Sequence, residues 1–134
     1  MANSDNVIRA GLTPKLRDVP NLVLGLTYSA SDACKHFVYP TSFSSSSVLY
    51  DPPVPEFSVI QVKLPPQQTE MHRPVDGPSV AIVTEGRGVV EWDSGKRLEV
   101  GLGDVYMIGA GTGVEFKSEG KEDLVIYRAF VEVK

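Results

Sequence analysis

The sequence predicts a mainly β domain, an antiparallel sandwich or barrel, preceded by a short strand and a short helix. From residue 57 onwards, short apolar runs alternate with glycine-containing turns. These turns recur about every 8–12 residues, a spacing typical of antiparallel sandwiches and barrels. In the first run, Ile60, Val62 and Leu64 alternate with polar residues, as in a strand with one buried face. The last run, residues 124–133, is apolar on both faces, which predicts a central strand.

Residues 1–28 are predicted to hold the strand and the helix. The strand is expected at residues 7–8, and the glycine and proline that follow it end any regular element. The helix is expected after Asp18, whose carboxylate can accept backbone N–H groups as an N-cap. Pro20 suits the first helical turn, whereas Gly25 weakens the helix and keeps it short.

Residues 29–56 are rich in serine and proline and are predicted to form a connector on the surface. Ser44–Ser47 is an unbroken serine run, and residues 51–55 read Asp-Pro-Pro-Val-Pro. Such sequences favour extended backbone and offer few side chains to a core.

Residues 57–134 are predicted to be strands nearly throughout. The expected strands lie at 60–64, 79–83, 89–92, 98–100, 105–108, 114–116 and 124–133. The expected turns lie at 93–95, 101–104, 109–113 and 118–120.

Length and composition limit the classes of function that are open to the chain. The 134 residues are the size of one domain, large enough for a core without disulfides. A net charge of −4 argues against a nucleic-acid partner, because such binders carry a basic face. The N-terminus lacks the apolar core of a signal peptide, and no apolar run approaches the roughly 20 residues that span a bilayer. The single cysteine, Cys34, makes a reducing cytoplasm the expected location.

The segment from Glu85-Gly86-Arg87-Gly88 to Gly103-Asp104, with its following apolar strand, resembles the core of a cupin-type jelly roll. The resemblance implies a cupin-like antiparallel jelly roll. Metal-binding cupins carry a His-x-His motif on the strand that corresponds to residues 79–84, and this strand has no histidine. The domain is therefore expected to be a metal-free cupin.

Residues 1–15 read Met-Ala-x-Ser-Asp-Asn-x-Ile-Arg-Ala-Gly-x-Thr-Pro-Lys and resemble the second half of the type I phosphomannose isomerase signature. Residues 50–53, 76–79 and 127–132 also resemble the C-terminal part of the fungal members. Those enzymes use zinc to interconvert mannose 6-phosphate and fructose 6-phosphate. The resemblance covers nearly the whole chain and implies that it corresponds to the last third of such an enzyme.

The resemblance also implies roles for three residues. Arg9 matches the active-site arginine, and its permanently charged guanidinium suits stabilisation of an enediolate rather than proton abstraction. Lys15 matches the lysine near the substrate phosphate, where a mobile ammonium suits a dianion. Asp5 lies four residues before Arg9 and could orient it or transfer a proton. The alternatives are an ion-paired strand-end arginine, a solvated lysine and an aspartate that caps a turn.

No metal ligand is expected in this chain. The family's zinc ligands lie upstream of the part that the chain resembles, and the two histidines, His36 and His72, have no ligand-like spacing. They are expected at the surface or at an interface. The chain alone is predicted to bind no zinc and to be inactive, whereas with the missing N-terminal part it would bind a sugar phosphate. Arg128, inside an apolar strand, is expected to be an ion-paired structural residue, and Trp92 has no assigned role.

The alternative function is a stand-alone, metal-free cupin-like module that binds a sugar or a protein. The first 15 residues distinguish the two hypotheses, because such a module has no need of an active-site motif before its barrel.

Overall fold

A computed structural model describes residues 8, 9, 11 and 14–131 of the chain. The chain divides into two compact units, residues 1–37 and residues 38–134. We describe each unit by itself.

The first unit contains helix α1, Val19–Leu24, and a 3-10 helix, Ala33–His36. The Asp18 carboxylate accepts the backbone N–H of Asn21 at 3.2 Å, which confirms the predicted N-cap. Gly25 caps the C-terminal end. Ile8 lies outside any strand, and the other residue of the predicted strand lies outside the described residues. No helix in the described part of the chain has the length and apolar character to cross a membrane.

The second unit contains ten strands among its described residues. They are β1 (Thr41–Ser42), β2 (Ser47–Tyr50), β3 (Ser58–Leu64), β4 (Thr69–His72), β5 (Ser79–Glu85), β6 (Arg87–Trp92), β7 (Lys96–Gly101), β8 (Val105–Ile108), β9 (Val114–Ser118) and β10 (Leu124–Phe130).

The strands form two sheets whose pairings are all antiparallel. The six-stranded sheet has the order β1-β2-β3-β10-β5-β8, and the four-stranded sheet has the order β4-β9-β6-β7. From β3 to β6 the chain passes from one sheet to the other at every connection, and it does so again from β7 to β10. This is the predicted antiparallel jelly roll. Its core is built from side chains of both sheets, including Ile60, Val62, Val90, Phe116 and Ile126.

Each strand predicted in residues 57–134 is present. The prediction succeeded because an alternating apolar pattern identifies strands that bury one face. The two-sided final run, β10, lies between β3 and β5 at the centre of its sheet, as predicted. Three strands were not predicted. Two of them, β1 and β2, lie inside the predicted connector, where Leu49 of β2 pairs with Ile60 of β3. The third, β4, alternates polar residues and shows no apolar periodicity.

Two glycines permit the sharp passage from β5 in one sheet to β6 in the other. Gly86 has a φ of +73°, a conformation that side chains disfavour. At Gly88, an added Cβ would overlap the backbone oxygen of Lys117 and lie 2.7 Å from Cδ2 of Leu124. Both positions therefore require glycine.

We expect Gly88→Ala to lower the free energy of unfolding by roughly 3 kcal/mol, the upper part of the range for overpacking, because the obstructing atom is backbone. Chemical denaturation would measure the change. Gly101→Ala on β7 is the matched control, since its added Cβ has its nearest neighbour at 4.0 Å. Equal stability of the two variants would show that β6 and β9 can separate without loss.

The outer face of the six-stranded sheet carries an apolar patch at one edge. Val80 pairs with Met107, and Ile82 pairs with Val105. All four side chains are exposed. Adjacent apolar pairs on one solvent-facing surface are typical of a protein contact.

Candidate functional site

The three residues predicted for the active site belong to the first unit, Arg9 and Asp5 for catalysis and Lys15 for substrate binding. Arg9 is half-buried and lies outside regular secondary structure. Lys15 is exposed and lies in a bend directly after Pro14. Asp5 lies outside the described residues. The roles of all three stay predictions.

A carboxylate, Glu70, lies between the two sheets at the edge where β1 and β4 are the last strands. The hydroxyls of Ser44, Ser45 and Ser47 donate hydrogen bonds to it, that of Ser45 at 3.0 Å. The backbone N–H of Ser46 donates at 2.5 Å. These bonds join the β1–β2 hairpin of one sheet to β4 of the other. The serine run therefore closes this edge of the sandwich rather than lying free on the surface, and Ser47 is buried.

Opposing effects set the charge of Glu70. Burial favours the neutral carboxyl and raises its pKa. The hydrogen bonds from the serines and His72 stabilise the carboxylate and together outweigh burial, so the pKa falls from 4.5 to about 2. Glu70 is therefore ionised at neutral pH.

His72 lies beside Glu70 and is 1% exposed, so the prediction of a surface histidine is wrong. Its Nε2 lies 3.0 Å from Oε1 of Glu70. An ionised carboxylate can only accept, so Nε2 carries the proton. The ring packs edge-on against Phe43 and Phe116, with centroids 5.0 and 4.9 Å away. Burial lowers the pKa of His72 and favours the neutral form. His36, in contrast, is exposed as predicted.

The sequence missed this cluster for a physical reason. Glu70 and His72 alternate with the exposed Met71 along β4, so the polar residues face inward and the apolar residue faces outward. This reverses the usual pattern of a strand. The signal that could have identified the cluster was the unbroken serine run, which offers several hydroxyl donors within one short turn.

Arg128 is fully buried at the centre of β10, and its predicted ion pair is absent among the described residues. Its Nε donates to Oγ of Ser79 at 2.9 Å.

The opposite edge of the sandwich, where β7 and β8 are the last strands, contains a cavity of about 180 Å³. Trp92 and Leu98 line it from the four-stranded sheet, and Tyr106 and Ile108 line it from β8. Trp92, to which the sequence assigned no role, therefore forms part of the wall of this cavity. The cavity is mainly apolar, with Asp93 and Thr112 among its lining residues, and suits a small molecule or a buried side chain.

The described residues contain no group of three His, Cys, Asp or Glu side chains that could hold a metal ion. Glu70 and His72 form a pair only, and their facing atoms are already hydrogen-bonded. Cys34 is exposed. The residues described here do not fit a zinc centre, which takes three or four ligands.

Comparison with known proteins agrees with the resemblance noted in the sequence. Residues 47–94 match the family model described as "Phosphomannose isomerase type I C-terminal". The mannose-6-phosphate isomerase of Cryptococcus neoformans is 49% identical over 135 residues, which are 98% of this chain and 30% of that protein. The chain matches the C-terminal part of type I phosphomannose isomerases. The Schizosaccharomyces pombe mannose-6-phosphate isomerase is 42% identical over 99% of the chain and 33% of that protein.

The chain corresponds to the C-terminal part of these phosphomannose isomerases and spans about a third of their length. A crystal structure of mannose 6-phosphate isomerase from Salmonella typhimurium, bound to the substrate f6p and zinc, superimposes with a TM-score of 0.77. It is 29% identical, and the match covers 99% of this chain and 32% of that one. The fold predicted from the sequence is confirmed.

Proposed function

We propose that this chain supplies the C-terminal part of a cytoplasmic enzyme that interconverts mannose 6-phosphate and fructose 6-phosphate. The observation that carries the proposal is the 49% identity to the Cryptococcus mannose-6-phosphate isomerase over nearly the whole chain. The substrate and zinc in the Salmonella crystal structure support the same reaction. The single exposed thiol, Cys34, fits a reducing location.

In this proposal the first unit contributes two cations to an active site completed by the rest of the enzyme. Isomerisation of an aldose to a ketose passes through an enediolate, whose negative charge needs a fixed positive group. Arg9 supplies that charge, because its guanidinium stays protonated. Lys15 is exposed and long enough to meet a phosphate as a point charge. Asp5 orients Arg9 or takes part in proton transfer.

We place the zinc of this enzyme on residues outside this chain. When bound, zinc polarises the sugar oxygens. The family resemblance puts its ligands upstream of the part that this chain resembles.

The jelly roll serves as a companion domain in this proposal. The exposed pairs Val80–Met107 and Ile82–Val105 give it an apolar surface. We assign that surface to a contact with the remaining two thirds of the full-length enzyme, which the family relatives possess beyond the matched part. Burying it there would remove these side chains from water.

A fusion protein tests the proposal. The matching C-terminal third of the Cryptococcus neoformans enzyme is replaced by this chain, and isomerase activity is measured beside the parent enzyme. We expect the fusion to retain turnover within about tenfold of the parent, since half of the replaced residues are identical. The 134-residue chain alone is expected to show none.

Two results would contradict the proposal. One is turnover by the isolated chain. The other is a folded, inactive fusion, with zinc bound and a native circular dichroism spectrum. A fusion that lacks residues 1–15 separates the two hypotheses. Under the proposal it loses isomerase activity, whereas the ligand binding of a stand-alone module would not change with that deletion.

A further inference from the structure

The interior of the jelly roll holds a positive charge without a counter-charge among the described residues. Arg128 is 0% exposed on the central strand β10. Its Nε donates to Ser79, whereas Nη1 and Nη2 have no hydrogen-bond partner in the described part of the chain. Buried arginines are normally paired, because an isolated charge in an apolar interior is strongly destabilising.

The strand register shows what surrounds this guanidinium. Arg128 pairs with Ala81 of β5, and Ala81 pairs with Tyr106 of β8. These three residues therefore form one row across the sheet. The next inward row places Ser79 beside Ile108. Ala81 and Ser79 of β5 are small, and the hydrogen bond of 2.9 Å from Nε of Arg128 to Oγ of Ser79 places the guanidinium over this strand.

Tyr106 supplies a second unpaired donor. Its hydroxyl is buried and has no hydrogen-bond partner among the described residues. Burial raises its pKa, so the hydroxyl keeps its proton. The register places Tyr106 in the same row as Arg128, with only the small Ala81 between them. The Nη1 and Nη2 groups and this hydroxyl thus form a set of donors in need of an acceptor.

The nearby charged groups do not satisfy the set. Glu70, the buried carboxylate, is already bound by the serine loop and His72. His72 is neutral, and the charge of Arg128 lowers its pKa further. The guanidinium of Arg128 therefore has no carboxylate partner among the described residues.

We propose that the jelly roll binds a small oxyanion, a carboxylate or a phosphate, on the Nη1 and Nη2 groups of Arg128 and the hydroxyl of Tyr106. Two guanidinium nitrogens match the two oxygens of such an anion. The route of entry in this proposal is the cavity of about 180 Å³ at the open edge, because Tyr106 lines it. The site is independent of the proposed isomerase reaction and lies in the second unit.

Anion titration of the 134-residue chain tests the proposal. Sodium acetate and sodium phosphate are each titrated against sodium chloride at constant ionic strength. The Nε–H resonance of Arg128 is followed by NMR, together with the melting temperature. We expect a saturable shift of that resonance and a rise in melting temperature with at least one of the two anions. The comparison of acetate with phosphate shows whether the site prefers a planar carboxylate or a tetrahedral phosphate.

Three variants test whether Arg128 and Tyr106 bind the anion. Arg128→Met should abolish the anion-dependent rise and melt higher than the parent in chloride, because it removes an uncompensated buried charge. Tyr106→Phe keeps the ring and should weaken binding about tenfold. Arg97→Met, an exposed arginine on β7, is the control and should respond like the parent.

The proposal is overturned if the resonance of Arg128 shows no saturable shift with either anion. It is also overturned if the melting temperatures of the parent and Arg128→Met rise equally, because salts such as phosphate stabilise folded proteins generally. Should Arg128→Met fail to fold, the NMR titration of the parent and Tyr106→Phe decides between the same outcomes.

Discussion

Replacing Arg9 with methionine in the fusion enzyme is expected to lower kcat by roughly 10²–10³-fold, the effect of removing one group that stabilises a developing oxyanion. Methionine keeps much of the side-chain length and removes the charge. Because the enediolate charge develops during the reaction, the guanidinium stabilises the transition state more than the bound sugar. We therefore expect KM to change much less than kcat. Steady-state isomerase kinetics measure both parameters.

Two neighbouring cations make this prediction specific. Lys15→Met should chiefly raise KM, since a phosphate contact is present in both the substrate complex and the transition state. Arg17→Met removes an exposed cation of the same segment and is expected to leave kcat and KM unchanged. An Arg9→Met enzyme with the kcat of the Arg17→Met control would refute the assignment of Arg9. If the fusion does not fold, the matching arginine of the Cryptococcus enzyme takes the same substitution.

Glu70→Ala is expected to destabilise the jelly roll by roughly 3–5 kcal/mol, because several buried donors lose their acceptor at once and each such loss costs about 1–3 kcal/mol. The alanine leaves the hydroxyl of the buried Ser47 and the backbone N–H of Ser46 without their acceptor. It also removes the partner of His72. Since Glu70 joins β4 to the β1–β2 hairpin, the loss should open that edge of the sandwich. Chemical denaturation measures the stability, and hydrogen exchange locates the opening.

Glu70→Gln removes the negative charge of this side chain and keeps its shape. The amide oxygen can still accept hydrogen bonds through its two lone pairs, and the serine hydroxyls can rotate to accept from its NH₂ group, but the N–H of Ser46 can only donate. We expect a smaller loss, about 1–3 kcal/mol, from the donors left without an acceptor. Glu99→Gln on β7 is the control, because the Glu99 side chain is 81% exposed. A Glu70→Ala protein as stable as this control would show that the serine loop does not close the edge.

The same cluster predicts how stability depends on pH. The folded-state pKa values of Glu70 and His72 both lie below their ordinary values, so the unfolded chain binds more protons. Their contribution is complete above the unfolded pKa values and is lost as the pH falls. For Glu70, the loss extends from about pH 4.5 to about pH 2. The unfolding free energy lost through Glu70 across this range is about 3 kcal/mol. Glu70→Gln should flatten the unfolding free energy across that range, whereas Glu99→Gln should leave its slope unchanged.

The fold was predictable wherever side chains alternate simply. Strands such as β3 and β10 bury apolar residues with a period of two, and glycine turns separate them. The N-cap at Asp18 depends on neighbouring residues only, so it too was predictable. In contrast, β2 gains its pairing from β3, which lies further along the chain, and β1 pairs in turn with β2. No local pattern encodes such a contact.

The candidate sites also differ in whether the sequence could predict them. The motif around Arg9 and Lys15 is contiguous in the chain, and the family resemblance followed from it directly. The surroundings of Glu70, His72 and Arg128 are built from strands that are distant in the sequence, and there the sequence predicted a surface histidine and an ion-paired arginine. The structure instead buries both, because a polar side chain on a strand carries no sign of the face to which the sheet turns it.

The sequence by itself determined the strand periodicity, the turn positions and the motif that relates this chain to type I phosphomannose isomerases. These depend on neighbouring residues or on a short contiguous pattern. Only the tertiary structure decided that a serine run closes one edge of the sandwich over Glu70 and that the opposite edge contains a cavity. It also decided that Arg128 is buried, with its Nε hydrogen-bonded to Ser79 of β5. Each of these depends on sheet order and register, which bring together residues that are tens of positions apart in the chain.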